Sequence, residues 1–167
     1  MQLITPTHHY QKSYCQYIRE LGDEERYPFP LDFEHNDFPA LLDKINNFTQ
    51  GKNIPEHMVP STTLWLVDNN ELIGVTNLRH YLNEKIAHCG GHIGLGIRPS
   101  YRGKGLGYLL MKLSIDTLLK RGVHDIHIHC YKENIASARV ITANNGMLDS
   151  EIIDSDHVIQ RYRIKTS

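Results

Sequence analysis

Arg102-Gly103-Lys104-Gly105-Leu106-Gly107 sets glycines alternately among two cations and one leucine, immediately ahead of a run with helical apolar spacing. The first N–H groups of a helix have no partner of their own, and the helix dipole adds partial positive charge at that end. Glycines remove the Cβ atoms that would keep an anion from the main chain, and Arg102 and Lys104 add charge at the rim. The chemistry expected is capture of a phosphate or diphosphate. A magnesium nucleotide loop would need Ser or Thr after its lysine, and Lys104 is followed by Gly-Leu-Gly. A dinucleotide fingerprint would need GxGxxG, but the spacing here is GxGxG, with Tyr108 where a further glycine would fall.

Other chemistry-bearing groups are less organised. Of 11 histidines, the densest group is His124-Asp125-Ile126-His127-Ile128-His129-Cys130, which puts His127 and His129 on one side of a strand. That begins a metal site, but no third ligand is fixed by the sequence, so no metal is expected. The 3 cysteines, Cys15, Cys89 and Cys130, are scattered and read as reduced thiols, not a disulfide framework. Formal net charge is −1, which recommends neither nucleic acid nor an anionic membrane as partner. No apolar run approaches membrane-spanning length and no leader pattern opens the chain, so a soluble, cytoplasmic protein is expected.

The loop needs a strand before it and a helix after it. His92 to Ile97 reads as the strand, interrupted by Pro99, and Tyr108, Leu109, Met111, Leu113, Ile115, Leu118 and Leu119 give the helix a wide apolar face ending at Gly122. Around them, the periodicity predicts a helix over about 6–21, a proline- and aromatic-rich loop over 23–33, and a short helix over 36–48. It also predicts a hairpin of 62–67 with 72–80 about the turn 68–71, a strand over 125–131, a helix over 135–145, and two weaker strands near 147–153 and 157–164. No linker or repeat divides the 167 residues, so a single domain spanning 1–167 is expected.

The order of elements, the Arg102-Gly103-Lys104-Gly105-Leu106-Gly107 run (RxxGxG), and Asn134-Ile135-Ala136-Ser137 opening a helix about 30 residues on together resemble the GNAT N-acetyltransferases. The resemblance covers nearly the whole chain. It implies an α/β GNAT fold, a mixed and mostly antiparallel sheet flanked by about four helices, whose strands at 92–97 and 125–131 splay apart to admit the pantetheine arm of acetyl-coenzyme A. It implies transfer of an acetyl group from that cosubstrate to a primary amine of a small molecule or protein, by direct attack in a ternary complex. The alternative is a module that binds acyl-coenzyme A without turning it over.

Residue roles follow from the same resemblance. Ile97, Arg98, Arg102, Gly103, Lys104, Gly105, Leu106, Gly107, Asn134 and Ser137 are the implied coenzyme A contacts, and the backbone near Leu95 is implied to polarise the acetyl carbonyl. His92, in the His92-Ile93-Gly94-Leu95 run where several branches carry an acid, is the candidate base, since an imidazole titrating near pH 6.5 suits proton uptake. Glu24, Glu25, His80 and Glu133 are reserves, and Glu24, Asn77, Arg79 and His80 are expected to line the acceptor side. The family's usual thiolate-protonating tyrosine is replaced by Ile141, which leaves Tyr101 and Tyr131 as substitutes and lends the non-catalytic alternative its support. The acceptor's identity is not encoded in any motif, and a homodimer is left open.

Overall fold

The computed structural model describes residues 1–166. Two antiparallel sheets meet in it at a single point. The first is ordered β1-β2-β3-β4, from Gln2–Ile4, Ser61–Asp68, Glu71–Arg79 and Ile93–Ile97; the second is β5-β7-β6, from Asp125–Tyr131, His157–Lys165 and Met147–Asp154. An isolated bridge, Gly91 with Ile128, joins them, together with the His92 N–H donating to His127 O at 2.7 Å. From Ile93 onward β4 has no recorded strand partner on its β5 side, so the sheet is split there.

Two helices cover one face of the first sheet. They are α1, Gln11–Leu21, and α2, Phe38–Gln50, which Asp37 caps by accepting the Ala40 N–H at 3.0 Å and Gly51 ends in the left-handed region. Their core holds Tyr14, Tyr17, Leu21, Phe38, Leu41 and Ile45 against Trp65 and Val75, with Tyr14 stacked on Trp65 at 5.5 Å. The opposite face is covered by α4, Leu106–Lys120, and α5, Ile135–Ala143, packing Met111, Ile115, Leu118 and Ile141 on Leu78, Ile93, Ile126 and Ile128. Strand alternation sorts the central strand between the two cores: Thr76 and Leu78 face α4, whereas Val75 faces α1. A fifth helix, α3, is a single turn at Glu84–His88, capped by Asn83 on the Ile86 N–H.

The expected elements are present, with differences at their edges. The first helix begins at Gln11, after a 3₁₀ turn over His8–Tyr10. β1 and α3 were not anticipated, being three and five residues long. The expected single sheet is two sheets joined at one bridge.

Candidate active site

The loop after β4 presents bare main chain. Gly103 and Gly105 both lie at φ +77°, and a Cβ added at either would meet no atom within 4 Å. Gly105 is the N-cap of α4 with no side-chain cap and no acid in the first turn. Among the described residues the amides of residues 103–108 donate no backbone hydrogen bond, the first into the helix being Leu109 N–H to Gly105 O at 3.3 Å. Unpaired, outward-turned amides at a helix start form a concave anion site. Lys104 stands at its rim, its ammonium 5.3 Å from the Tyr101 ring. Arg102 is tied down, donating from Nε to Ile97 O at 3.0 Å and from Nη1 to Glu24 Oε1 at 2.9 Å.

β4 carries that site's approach. Arg98 N–H to Ile73 O and Arg79 N–H to His92 O mark the bonded positions of the β3–β4 ladder, so in an antiparallel pair the amides of Ile93, Leu95 and Ile97 turn the other way, into the split. The Ile97 carbonyl used by Arg102 obeys the same alternation. On the α1 face, Gly94 and Gly96 let the 23–33 loop lie directly on the strand. A Cβ at Gly94 would come within 2.8 Å of the Tyr27 hydroxyl, and one at Gly96 within 2.6 Å of Tyr27 O. Tyr27 is thus exposed as a residue, yet its hydroxyl is packed on the strand beside Leu95, and burial raises that phenol above its usual value.

On the far side of the loop, α4 packs on α5, with Gly107 leaving room for Val140. Asn134 caps α5 through its Oδ1, which accepts the Ser137 N–H at 3.1 Å, so its Nδ2 and the Ser137 hydroxyl remain for other partners. Leu95 and Ile97 thus belong to the strand that leads to the loop, Arg102, Gly103, Lys104, Gly105, Leu106 and Gly107 form the loop and the start of α4, and Asn134 and Ser137 open the helix that packs on α4.

Several expected side chains lie elsewhere. Arg98 is 7% exposed and turned into the protein, donating to Glu20 at 2.5 Å, Glu71 at 2.7 Å and Ser13 at 3.1 Å, so its guanidinium does not face the loop. Asn77 is buried between Ser61 and Thr63, to which its Nδ2 donates. His80 bonds Thr62, which also takes Arg121 Nη1, placing it by the last turn of α4, roughly 20 Å along the helix from the loop. Glu24 is engaged by Arg102, and Glu133 pairs with His157 at 3.0 Å.

The candidate base needs the largest correction. His92 is buried, and its Nδ1 accepts the His127 N–H at 3.0 Å, which puts the proton of the neutral ring on Nε2 and leaves no free lone pair. Burial, with His127 and Arg79 nearby, pulls its pKa down to about 4, against a weaker opposing pull from Asp125. Such a ring holds strands together and is a poor proton acceptor near neutrality. Ile141, where the family's tyrosine is usual, is core, 1% exposed. What the sequence did not single out is Tyr27, a phenol held beside Leu95; the only signal was the proline- and aromatic-rich composition of its loop. Among the described residues no group of three or more His, Cys, Asp or Glu could hold a metal ion.

Solved structures share this fold. A variant of the spermidine N-acetyltransferase SpeG from Vibrio cholerae superposes with a TM-score of 0.69 at 15% identity, over 99% of this chain and 95% of that one. The ribosomal-protein-S5-alanine acetyltransferase from Vibrio fischeri superposes with a TM-score of 0.72 at 16% identity, over 98% and 92%. yncA from Salmonella typhimurium, named as an acetyltransferase and solved with its cofactor acetyl-CoA, gives 0.66 at 13%, over 98% and 92%. No curated protein sequence matches the chain. The family model described as the acetyltransferase (GNAT) family matches residues 16–147, most of the chain and all of the split, loop and α5 start, and the protein belongs to that family.

Proposed function

We propose that the protein moves an acetyl group from acetyl-coenzyme A to a primary amine of a small molecule or protein, by direct attack with both substrates bound. What supports this reading is the run of amides at 103–108 without backbone partners among the described residues, at the end of a strand whose Leu95 amide faces away from β3. The diphosphate sits on the former, with Lys104 and Arg102 at its edge. The pantetheine arm runs along the open side of β4 past Ile97, opposite Asn134 and Ser137. The acetyl oxygen then takes the Leu95 N–H, an alignment that stabilises the negative charge developing as the amine attacks.

A lysine-like amine titrates near pH 10.4, so it must lose a proton before attack. The carboxylate proposed to receive it is Glu25, an exposed side chain two residues from Tyr27 that forms no ion pair among the described residues. Proton passage through water suits that exposure. Tyr27, protonated at neutral pH and beside Leu95, is the donor to the departing thiolate and takes the role that Ile141 cannot. These groups favour catalysis over mere acyl-coenzyme A binding. The setting proposed is the cytoplasm, in keeping with three free cysteines and with no described helix long and apolar enough to cross a membrane.

Thiol release from acetyl-coenzyme A, followed across a panel of amines, tests the proposal. Amine-dependent release is expected, falling about 100-fold in kcat for Tyr27→Phe with cofactor affinity kept. Tight cofactor binding with no release for any amine would replace it with the binding-module reading.

A further inference from the structure

A second polar site stands where the two sheets meet, and it is made of side chains. One short segment holds three of them. His88 O accepts Arg161 Nη1 at 3.2 Å, the Gly90 N–H donates to His129 Nδ1 at 2.8 Å, and Gly91 O accepts Arg79 Nη1 at 2.8 Å. Gly91 is needed in this frame, since it lies at φ +72° and a Cβ there would come within 2.5 Å of His127 O. Because its Nδ1 accepts, neutral His129 carries its proton on Nε2. The residue is 8% exposed, and that Nε2 has no partner among the described residues. A buried donor left unmatched costs about 1–3 kcal/mol, which marks it as a place where an acceptor belongs.

The surrounding charge says what kind of acceptor. The groups around His129 are basic: Arg79 and Arg161 are held on the same 88–91 segment, and the His127 ring lies 6.4 Å from its own. Arg79 is partly buried and its one recorded side-chain bond goes to a carbonyl; Arg161 bonds Ser150 Oγ at 2.8 Å and a carbonyl. Neither forms an ion pair within the described residues, and Asp154, which receives the Cys89 thiol across 3.9 Å, pairs with neither. A buried arginine is ordinarily matched by carboxylates, as Arg98 is; Arg79 and Arg161, each only partly buried, have none among the described residues. The site adjoins the proposed reaction centre, for Arg79 pairs with His92, two residues along β4 from the Gly94 on which the Tyr27 hydroxyl packs.

We propose that Arg79, Arg161 and His129 Nε2–H bind an anionic oxygen group carried by the acceptor, a carboxylate or a phosphate. The acceptor is then an amine bearing its own anion, of the amino-acid type, and not a polyamine. The proposal rests on the acetyltransferase reading, since it is the acceptor that brings the anion to the cleft. Binding the anion through guanidinium and imidazole donors fixes the amine's approach and leaves the nearby cations to disfavour its protonated form.

The test uses the full chain and amines supplied in pairs that differ only in the anion: amino acids with their amides, aminoalkyl phosphates with the parent amino alcohols, and spermidine as the cationic arm. The acid of a pair is expected to exceed its neutral partner by about tenfold or more in kcat/KM, with the preference read in KM and erased by Arg79→Gln but partly kept by Arg79→Lys. The pair with the larger ratio tells carboxylate from phosphate. Equal use of the neutral partners, or better use of spermidine, overturns the proposal while leaving the transferase reading intact. A readout independent of turnover is the His129 ring resonances in isotope-labelled protein titrated with glycine and with inorganic phosphate. A saturable Nε2–H shift with either supports the site, and a flat response to both refutes it. Should no amine be acetylated at all, the transferase reading falls and this titration alone decides the anion site.

Discussion

Arg98, buried, and Arg79, partly buried, flank the two ends of β4 in opposite electrostatic situations. Arg98 gives its guanidinium to Glu20 and Glu71, a closed network that joins α1 to β3 and to the end of β4. Arg79, across from the start of β4, has a carbonyl and, among the described residues, no carboxylate. A buried cation with its counter-charge inside the fold is architecture; a partly buried one without it is stability withheld for a ligand. The contrast repeats along β4 at the level of the main chain, where amides turned toward β3 are spent on the ladder and those turned toward the split stay free.

The largest expected effect breaks the first half of that contrast. Arg98→Ala strands two carboxylates and should lower unfolding free energy by about 3 kcal/mol, the low end for a broken buried pair because Glu20 and Glu71 are partly solvated. Denaturant unfolding measures it, and a loss under about 0.5 kcal/mol would show the network to be ornamental. Gly105→Val strains a residue at φ +77° and puts methyls over the open amides. Acetyl-coenzyme A affinity should fall about 100-fold by calorimetry, equivalent to about 2.7 kcal/mol; unchanged affinity would remove the loop from the cofactor site.

Acid should then single out the sheet junction. His92 and His129 both have pKa values pulled down to about 4 by burial, from 6.5 unperturbed. Both rings are neutral when folded, so their contribution is complete above about pH 6.5 and is lost as pH falls toward 4, where the unfolded chain binds protons the fold refuses. Each adds a slope of up to about 1.4 kcal/mol per pH unit in that window. His92→Gln should flatten it, and an equal slope in the variant would mean the ring is not buried neutral. The smallest effect sharpens the opening contrast: Arg79→Gln should cost under about 1 kcal/mol, because it removes a charge with no internal partner. A loss matching that of Arg98→Ala would make Arg79 structural too.

How much of this could be read beforehand divides along the same line. The loop announced itself because glycine is the residue that leaves main chain bare, so Gly103, Gly105 and Gly107 are visible as letters. The hairpin and β5 were legible for a similar reason, since alternation at period two is written locally. Side-chain partnership is not local. Nothing near Arg98 in sequence points to Glu20 and Glu71, and nothing near His92 says that its Nδ1 will be taken by His127 N–H. The anion site gathers residues 79, 88–91, 129 and 161, whose common geometry exists only after four separate elements pack. Tyr27 belongs to the same class, becoming meaningful once Gly94 lets its loop touch β4.

The central claim is that unpaired main-chain amides hold the cofactor's diphosphate. The most direct measurement is the backbone amide spectrum of the labelled protein titrated with coenzyme A. Large saturable shifts at residues 103–108 and at Leu95, with Arg98 and its carboxylate partners undisturbed, are the predicted result. Saturation that leaves residues 103–108 unmoved would contradict the account.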